Sequence, residues 1–133
     1  MKVRNLLAGA ALGFAAATTA LAHDLSAGPN GGAFIDTGDT HLEALIQGET
    51  LTVFVTDAED APIDVTAASG RAILLVGKAK QIVSLSPAIE AGAHVLQGVL
   101  RENPLEPPSA ILSLKIDGRS VSARFATLVV VSD

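Results

Sequence analysis

Apolar and polar residues alternate with a period of two along most of this 133-residue chain, and no other feature restricts its fold as much. Successive side chains of a strand point to opposite faces, so this alternation is typical of strands that bury one face. Turn residues separate the alternating runs: Asp117-Gly118 favours a tight hairpin, and the Gly-Lys-Ala-Lys segment 77–80 indicates another. Seven strands are predicted in this way, at 41–46, 51–56, 72–76, 81–85, 94–100, 111–116 and 121–125.

Seven short strands in a chain of this length predict a single all-β domain over residues 23–133. The expected architecture is an antiparallel two-sheet sandwich of immunoglobulin-like type. The segment 127–131 is expected to continue the last strand. The alanine-rich segment 64–70 has the composition of a helical turn, which Gly70 would end.

The first 22 residues have the pattern of a cleaved signal peptide. Lys2 and Arg4 are followed by an apolar run over 6–17, and small residues at Ala20 and Ala22 predict cleavage after Ala22. A membrane anchor is the alternative, but the run is shorter than the roughly 20 residues that a spanning helix needs. The mature chain is therefore expected to begin at His23, to reside in the periplasm and to have no membrane contact after cleavage.

Composition excludes several classes of function. The chain has no Cys, no Trp and no Tyr, and its one Met is the initiator. Disulfides, thiolate zinc sites, blue-copper centres and iron–sulfur clusters are therefore excluded. A net charge of −5 and an aromatic content limited to four Phe argue against nucleic-acid binding. No Gly-x-Ser-x-Gly elbow or phosphate-binding loop is present, so we do not expect an enzyme.

The placement of histidine predicts a metal site. His41 and Glu43 are two residues apart in a predicted strand, so they lie on one face with Cα atoms roughly 6.5 to 7 Å apart. Asp39 has the same parity, and His23 would offer an α-amine beside its imidazole. The glycine-rich turn 28–32 is positioned to bring His23 back toward this strand. These nitrogen and oxygen ligands suit Cu(II) or Zn(II).

Other interpretations of these residues remain open. His41 and Glu43 are equally consistent with a polar patch, and His94 is expected to be an ordinary polar side chain. Residues 23–70 contain nine acidic side chains and no Lys or Arg. That segment predicts either a solvated acidic surface or a region whose negative potential attracts cations.

The stretch Gly28-Pro29-Asn30-Gly31-Gly32, followed by Asp36, Gly38, His41-Leu42-Glu43 and the strand to Asp57, resembles a Gly-Gly…His-x-Glu module of small proteobacterial periplasmic proteins. The same module resembles segments of periplasmic adaptor subunits in heavy-metal efflux systems. This resemblance implies a metal-related periplasmic context. In such proteins a His often directly precedes the Gly-Pro, whereas Ala27 stands there in this chain. A weaker architectural similarity connects the exported sandwich and His23 to the CopC-like copper-resistance proteins.

The sequence thus supports two hypotheses of different classes. The first is an exported periplasmic protein that binds Cu(II) or Zn(II) through His41, Glu43, His23 and Asp39, in metal handling, resistance or efflux. The second is a metal-free interaction module that docks onto an envelope protein or an efflux adaptor, with His41 and Glu43 forming only a polar patch.

Overall fold

The computed structural model describes residues 27–131 of the chain. The predicted signal peptide over 1–22 and the predicted ligand His23 lie outside these described residues. Within them the fold is all-β and contains no helix. Its nine strands are β1 (Ala33–Asp36), β2 (Thr40–Gln47), β3 (Thr50–Asp57), β4 (Ser69–Val76), β5 (Ala79–Glu90), β6 (Ala93–Val99), β7 (Ser109–Ile116), β8 (Arg119–Phe125) and β9 (Val129–Val131).

The strands follow the order β1-β2-β3-β6-β5-β4-β7-β8, and nearly all neighbours are antiparallel. We call β1, β2, β3, β6, β9 and the second half of β5 the front sheet. The first half of β5, with β4, β7 and β8, forms the back sheet. The prediction of an all-β antiparallel sandwich is confirmed, although residues 27–131 form nine strands instead of about seven.

Strand β5 belongs to both sheets and joins them. It pairs with β4 as far as Leu85 and with β6 from Ser86 onward. Gly98 on β6 lies against this crossing point: a Cβ there would collide with the backbone oxygen of Ser84 and the side chain of Val83. The close approach of β6 to β5 therefore requires glycine at position 98.

Apolar side chains from the inner faces of both sheets form the core. In β7 and β8 every second residue is buried, as the period-two pattern predicts. Because the chain has no disulfide, burial of this apolar surface is the main source of its stability. The largest fully buried side chains are Phe125, Leu42, Ile46, Leu51, Leu96, Leu112, Ile116, Leu128, Val53, Val65, Val83 and Val95.

Both predicted hairpin turns are present. Ile116 pairs with Arg119 around Asp117-Gly118, whose φ angles of 52° and 79° are those of a type I′ turn. Val76 pairs with Ala79 in the turn at 77–78. The glycines and the aspartate supply the positive φ angles that these turns need.

Two local expectations are wrong, and two strand segments were not predicted. The segment 64–70 contains a turn at 66–67 and the start of β4, with no helical turn. The segment 127–131 does not continue β8: the chain bends after Phe125, and β9 pairs in parallel with β2. Strand β1 and the second half of β5 were not among the predicted strands, because 33–36 is short and 86–90 contains Pro87.

Candidate functional site

His41 lies on β2 between two carboxylates. Its Nδ1 is 2.8 Å from Oδ1 of Asp60, and its Nε2 is 3.5 Å from Oδ2 of Asp36. Only 12% of the His41 side chain is exposed, whereas both carboxylates are largely exposed. The ring of Phe34 packs edge-on against the imidazole, with 5.2 Å between the centroids.

Strand register places Asp36 at this site. In the β1–β2 pair Asp36 lies directly opposite His41, and Phe34 lies opposite Glu43. Directly opposed residues of an antiparallel pair lie on the same face with Cβ atoms about 4.5 to 5.5 Å apart. The hairpin between β1 and β2 therefore brings a carboxylate beside the imidazole.

A tight turn after β3 places Asp60. Oδ1 of Asp57 accepts hydrogen bonds from the backbone N–H groups of Glu59 and Ala61, both at 2.9 Å. The backbone N–H of Asp60 donates to the carbonyl of Asp57, and Asp60 has a left-handed φ of 68°. The side chain of Asp57 thus shapes this turn. The turn directs the side chain of Asp60 toward His41 on β2.

The two carboxylates change the proton affinity of the imidazole. The hydrogen bond to Asp60 is the main cause that raises the pKa of His41 above its usual value, and the negative charge of Asp36 acts in the same direction. Partial burial opposes these effects without reversing them. The two carboxylates therefore stabilise a positive charge on the imidazole ring.

Glu43 is on the same face of β2 as His41, as the spacing predicts, but its carboxylate is engaged elsewhere. The residue is 3% exposed. Its Oε2 accepts the backbone N–H groups of Asn30 and Gly32, both at 2.8 Å, and its Oε1 accepts the side-chain amide of Asn30 at 2.9 Å. A Cβ at Gly28 would collide with the same carboxyl group. Glu43 thus fastens the glycine-rich turn to β2.

Asp39 has a different partner. Its Oδ2 accepts a hydrogen bond from Arg119 at 3.1 Å, and its Oδ1 accepts one from the Thr40 hydroxyl at 3.2 Å. The contact with Arg119 is the main reason that the pKa of Asp39 lies below its usual value. Of the four predicted ligands, the fold therefore directs His41, Glu43 and Asp39 to three separate sets of partners, and His23 lies outside residues 27–131.

Sequence reasoning missed Asp36 and Asp60. Recognition of β1 would have placed Asp36 opposite His41, since the β1–β2 hairpin fixes that pairing. No comparable signal points to Asp60, which lies 19 residues from His41 in an acidic turn of ordinary composition. Within the described chain no three His, Cys, Asp or Glu side chains converge on one point, because Asp36 and Asp60 approach opposite ring nitrogens.

Two concave regions lie away from His41. A groove of about 580 Å³ is lined by Leu74, Lys80, Arg101 and Leu105 among others. A smaller depression of about 240 Å³ on the front sheet is lined in part by Asn30 and Phe54. Neither includes His41, and His94 is exposed at the start of β6.

Fold and site together define an all-β antiparallel sandwich with a histidine held between two carboxylates. Comparisons with protein-family models, with curated proteins and with solved structures gave no significant match. Residues 27–131 include no helix long and apolar enough to cross a membrane. The resemblance based on the glycine-rich turn stays a prediction, and function has to be argued from the residues themselves.

Proposed function

We propose that this protein binds a divalent transition-metal ion at Nε2 of His41 and the carboxylate of Asp36, as an exported periplasmic protein of metal handling or efflux. The observation that carries the proposal is the imidazole with one carboxylate at each ring nitrogen. Asp60 positions the ring and Asp36 supplies an oxygen ligand.

The contact with Asp60 determines which nitrogen is free to bind. A hydrogen bond from Nδ1–H to Asp60 leaves the lone pair of the neutral imidazole on Nε2. Metal-bound histidines almost always donate their other ring N–H to a carboxylate, a carbonyl or water in this manner. Nε2 and the Asp36 oxygen then face each other as two acceptors, an arrangement that needs a proton or a metal ion between them.

The distance between these two acceptors favours Zn(II) over Cu(II). With metal–ligand bonds of about 2.0 to 2.1 Å, two ligand atoms are roughly 3.3 Å apart in a tetrahedral site and roughly 2.9 Å apart at a right angle. The separation of 3.5 Å between Nε2 of His41 and Oδ2 of Asp36 is nearer the tetrahedral value. Cu(II) prefers tetragonal geometry and fits less well.

Two protein ligands leave the tetrahedral set incomplete. In this proposal the remaining positions are taken by water, or by the α-amine and imidazole of His23 after the signal peptide has been removed. Glu43 and Asp39, which the sequence suggested as ligands, act instead in the glycine-rich turn and in the pair with Arg119.

The test is calorimetric titration of the processed, exported protein with Zn(II) and Cu(II). His41→Ala is expected to abolish measurable binding, and Asp60→Asn to weaken it by about 10- to 100-fold through the loss of the orienting carboxylate. His94→Ala is the matched control and is expected to bind normally. Unchanged Zn(II) affinity in His41→Ala would refute the proposal.

The metal-free interaction module remains the second candidate. It is favoured by one observation: Glu43 and Asp39 are fully explained by contacts within the fold. The metal proposal fails if the processed protein binds both metals with a Kd above about 1 mM, which corresponds to a binding free energy of roughly 4 kcal/mol. The interaction module is then the candidate that is left.

A further inference from the structure

The outer face of the back sheet has an apolar centre. Strand register places Ile82 of β5, Ile73 of β4 and Ile111 of β7 side by side across three strands. Leu75 lies on the same face, two residues beyond Ile73. Ile82 is 52% exposed, and the other three are partly exposed. Four aliphatic side chains thus form a continuous patch that the described chain leaves accessible.

Four cationic side chains surround this patch. Arg71, Lys80, Lys115 and Arg124 have the outward parity of their strands and are all exposed. Arg124 lies directly opposite Ile111, and Lys80 lies directly opposite Leu75. The remaining outward positions of the four strands are serines: Ser69, Ser84, Ser109, Ser113, Ser120 and Ser122.

This face carries no Asp or Glu, although the chain as a whole has a net charge of −5. The ion pairs found among residues 27–131 involve His41 and Arg119 and none of these four cations. Four of the chain's nine Lys and Arg residues are therefore gathered on one sheet face without an acidic partner there. A surface that serves only solubility would mix both signs of charge. The concentration of cations on this face therefore needs another reason.

We infer that the outer face of the back sheet is a docking surface for an acidic protein segment that carries apolar side chains. Apolar centre and charged rim are the anatomy of a protein–protein interface, and the rim would pair with carboxylates of the partner. Four strands about 4.8 Å apart and seven residues long give a footprint of roughly 19 by 23 Å, the small size of a transient complex.

A lipid surface fits this face less well. Membrane-surface binding usually relies on Trp, Phe or Leu side chains that enter the headgroup region. The back face has no aromatic residue, and its three isoleucines are held between neighbouring strands of a sheet. This inference is independent of the proposed metal site, which lies on the front sheet.

The experiment uses the ¹⁵N-labelled mature protein and a seven-residue acetylated probe peptide of alternating Glu and Leu, with the same peptide bearing Lys in place of Glu as its control. Amide shifts are expected at Ile73, Ile82 and Ile111 with the acidic peptide only. Affinity is expected to fall about tenfold when Arg71→Gln and Arg124→Gln are combined, because two rim cations are lost. Arg119→Gln, off this face, is expected to have no effect.

A second matched pair tests the apolar centre. Ile82→Ser is expected to weaken binding several-fold, whereas Ile89→Ser, at a position 66% exposed elsewhere on the chain, is not. Shifts confined to other surfaces, equal binding of the lysine peptide, or no binding at millimolar peptide would each overturn the inference. So would binding to phosphatidylglycerol vesicles without binding to the peptide, or concentration-dependent self-association through this face in sedimentation.

Discussion

Replacement of Glu43 by Ala is expected to detach the glycine-rich turn from β2. The carboxylate accepts the backbone N–H groups of Asn30 and Gly32 and the side-chain amide of Asn30, at 2.8 to 2.9 Å. In the variant these three donors lose their acceptor. The donor at Gly32 is buried, so water can replace the carboxylate there only if the turn moves.

The structure sets the size of this effect. Hydrogen bonds to a charged group contribute about 1.5 to 3 kcal/mol each when buried and less when water competes. Gly32 N–H is buried, and the two contacts of Asn30 are partly buried. We therefore expect the free energy of unfolding to fall by about 3 kcal/mol in Glu43→Ala. For a domain of this size that corresponds to a decrease in Tm of roughly 12 to 15 °C.

Urea denaturation followed by far-UV circular dichroism measures the effect, because the chain has no Trp or Tyr to report by fluorescence. Glu43→Gln keeps one oxygen for the two backbone donors and is expected to lose only about 1 to 1.5 kcal/mol, the charge-assisted part. Glu49→Ala, at an exposed turn position, is the control and should change stability by less than about 0.5 kcal/mol. A loss below about 1 kcal/mol in Glu43→Ala would refute the assigned role of the carboxylate.

Two further predictions concern His41 and Gly98. In the presence of a chelator, the raised pKa of His41 means that its contribution to stability is complete below about pH 6.5 and is lost as the pH rises through the folded-state pKa. This dependence of the unfolding free energy on pH should disappear in His41→Gln, and an unchanged dependence there would assign the effect to other groups. Gly98→Ala is expected to cost about 1 to 3 kcal/mol or more in urea denaturation, since the new Cβ meets Ser84 and Val83. Gly118→Ala meets no atom and should cost only about 1 kcal/mol through its φ of 79°.

Sequence periodicity predicted most of the strands because the two sheets bury one face each. The alternation in β7 and β8 reports directly which side chains face the core. The alternation does not predict strands that are stabilised mainly by pairing with a neighbouring strand instead of by burial of one apolar face. Strand β1 has four residues and is paired with β2 beside the fastened turn, and the second half of β5 continues through Pro87 after the strand has changed sheets.

The candidate site shows a similar division. A spacing of two residues correctly places His41 and Glu43 on one face of β2, because that placement depends only on the strand. Which groups each side chain meets depends on register and on turns far along the chain. Asp36 arrives through the β1–β2 pairing and Asp60 through the turn after β3. The two-residue spacing indicates neither the contact with Asp36 nor the contact with Asp60, so the ligand set could not be predicted from it.

The glycine-rich turn that Glu43 holds against β2 also concerns the proposed role of His23 as a metal ligand. Gly28 N–H donates to the carbonyl of Gly32, and Ala27 forms an antiparallel bridge with Ala33, so the described chain enters this turn alongside β1. His23 precedes Ala27 by four positions in the sequence. Because His23 is proposed to complete the zinc ligand set, we expect the affinity for Zn(II) to depend on how firmly this turn is held.

Glu43→Ala tests this expectation, because it removes the carboxylate that accepts the backbone N–H groups of Asn30 and Gly32. Its Zn(II) affinity, measured under conditions where the variant is folded, should fall to that of His23→Ala while His41 still binds, as judged by the imidazole NMR signals on titration. Glu49→Ala, at an exposed turn position, is the comparison variant. If His23→Ala lowers zinc affinity but Glu43→Ala does not, binding by His23 does not depend on the turn. If neither variant changes it, water completes the site and the turn fastened by Glu43 serves only the stability of the fold.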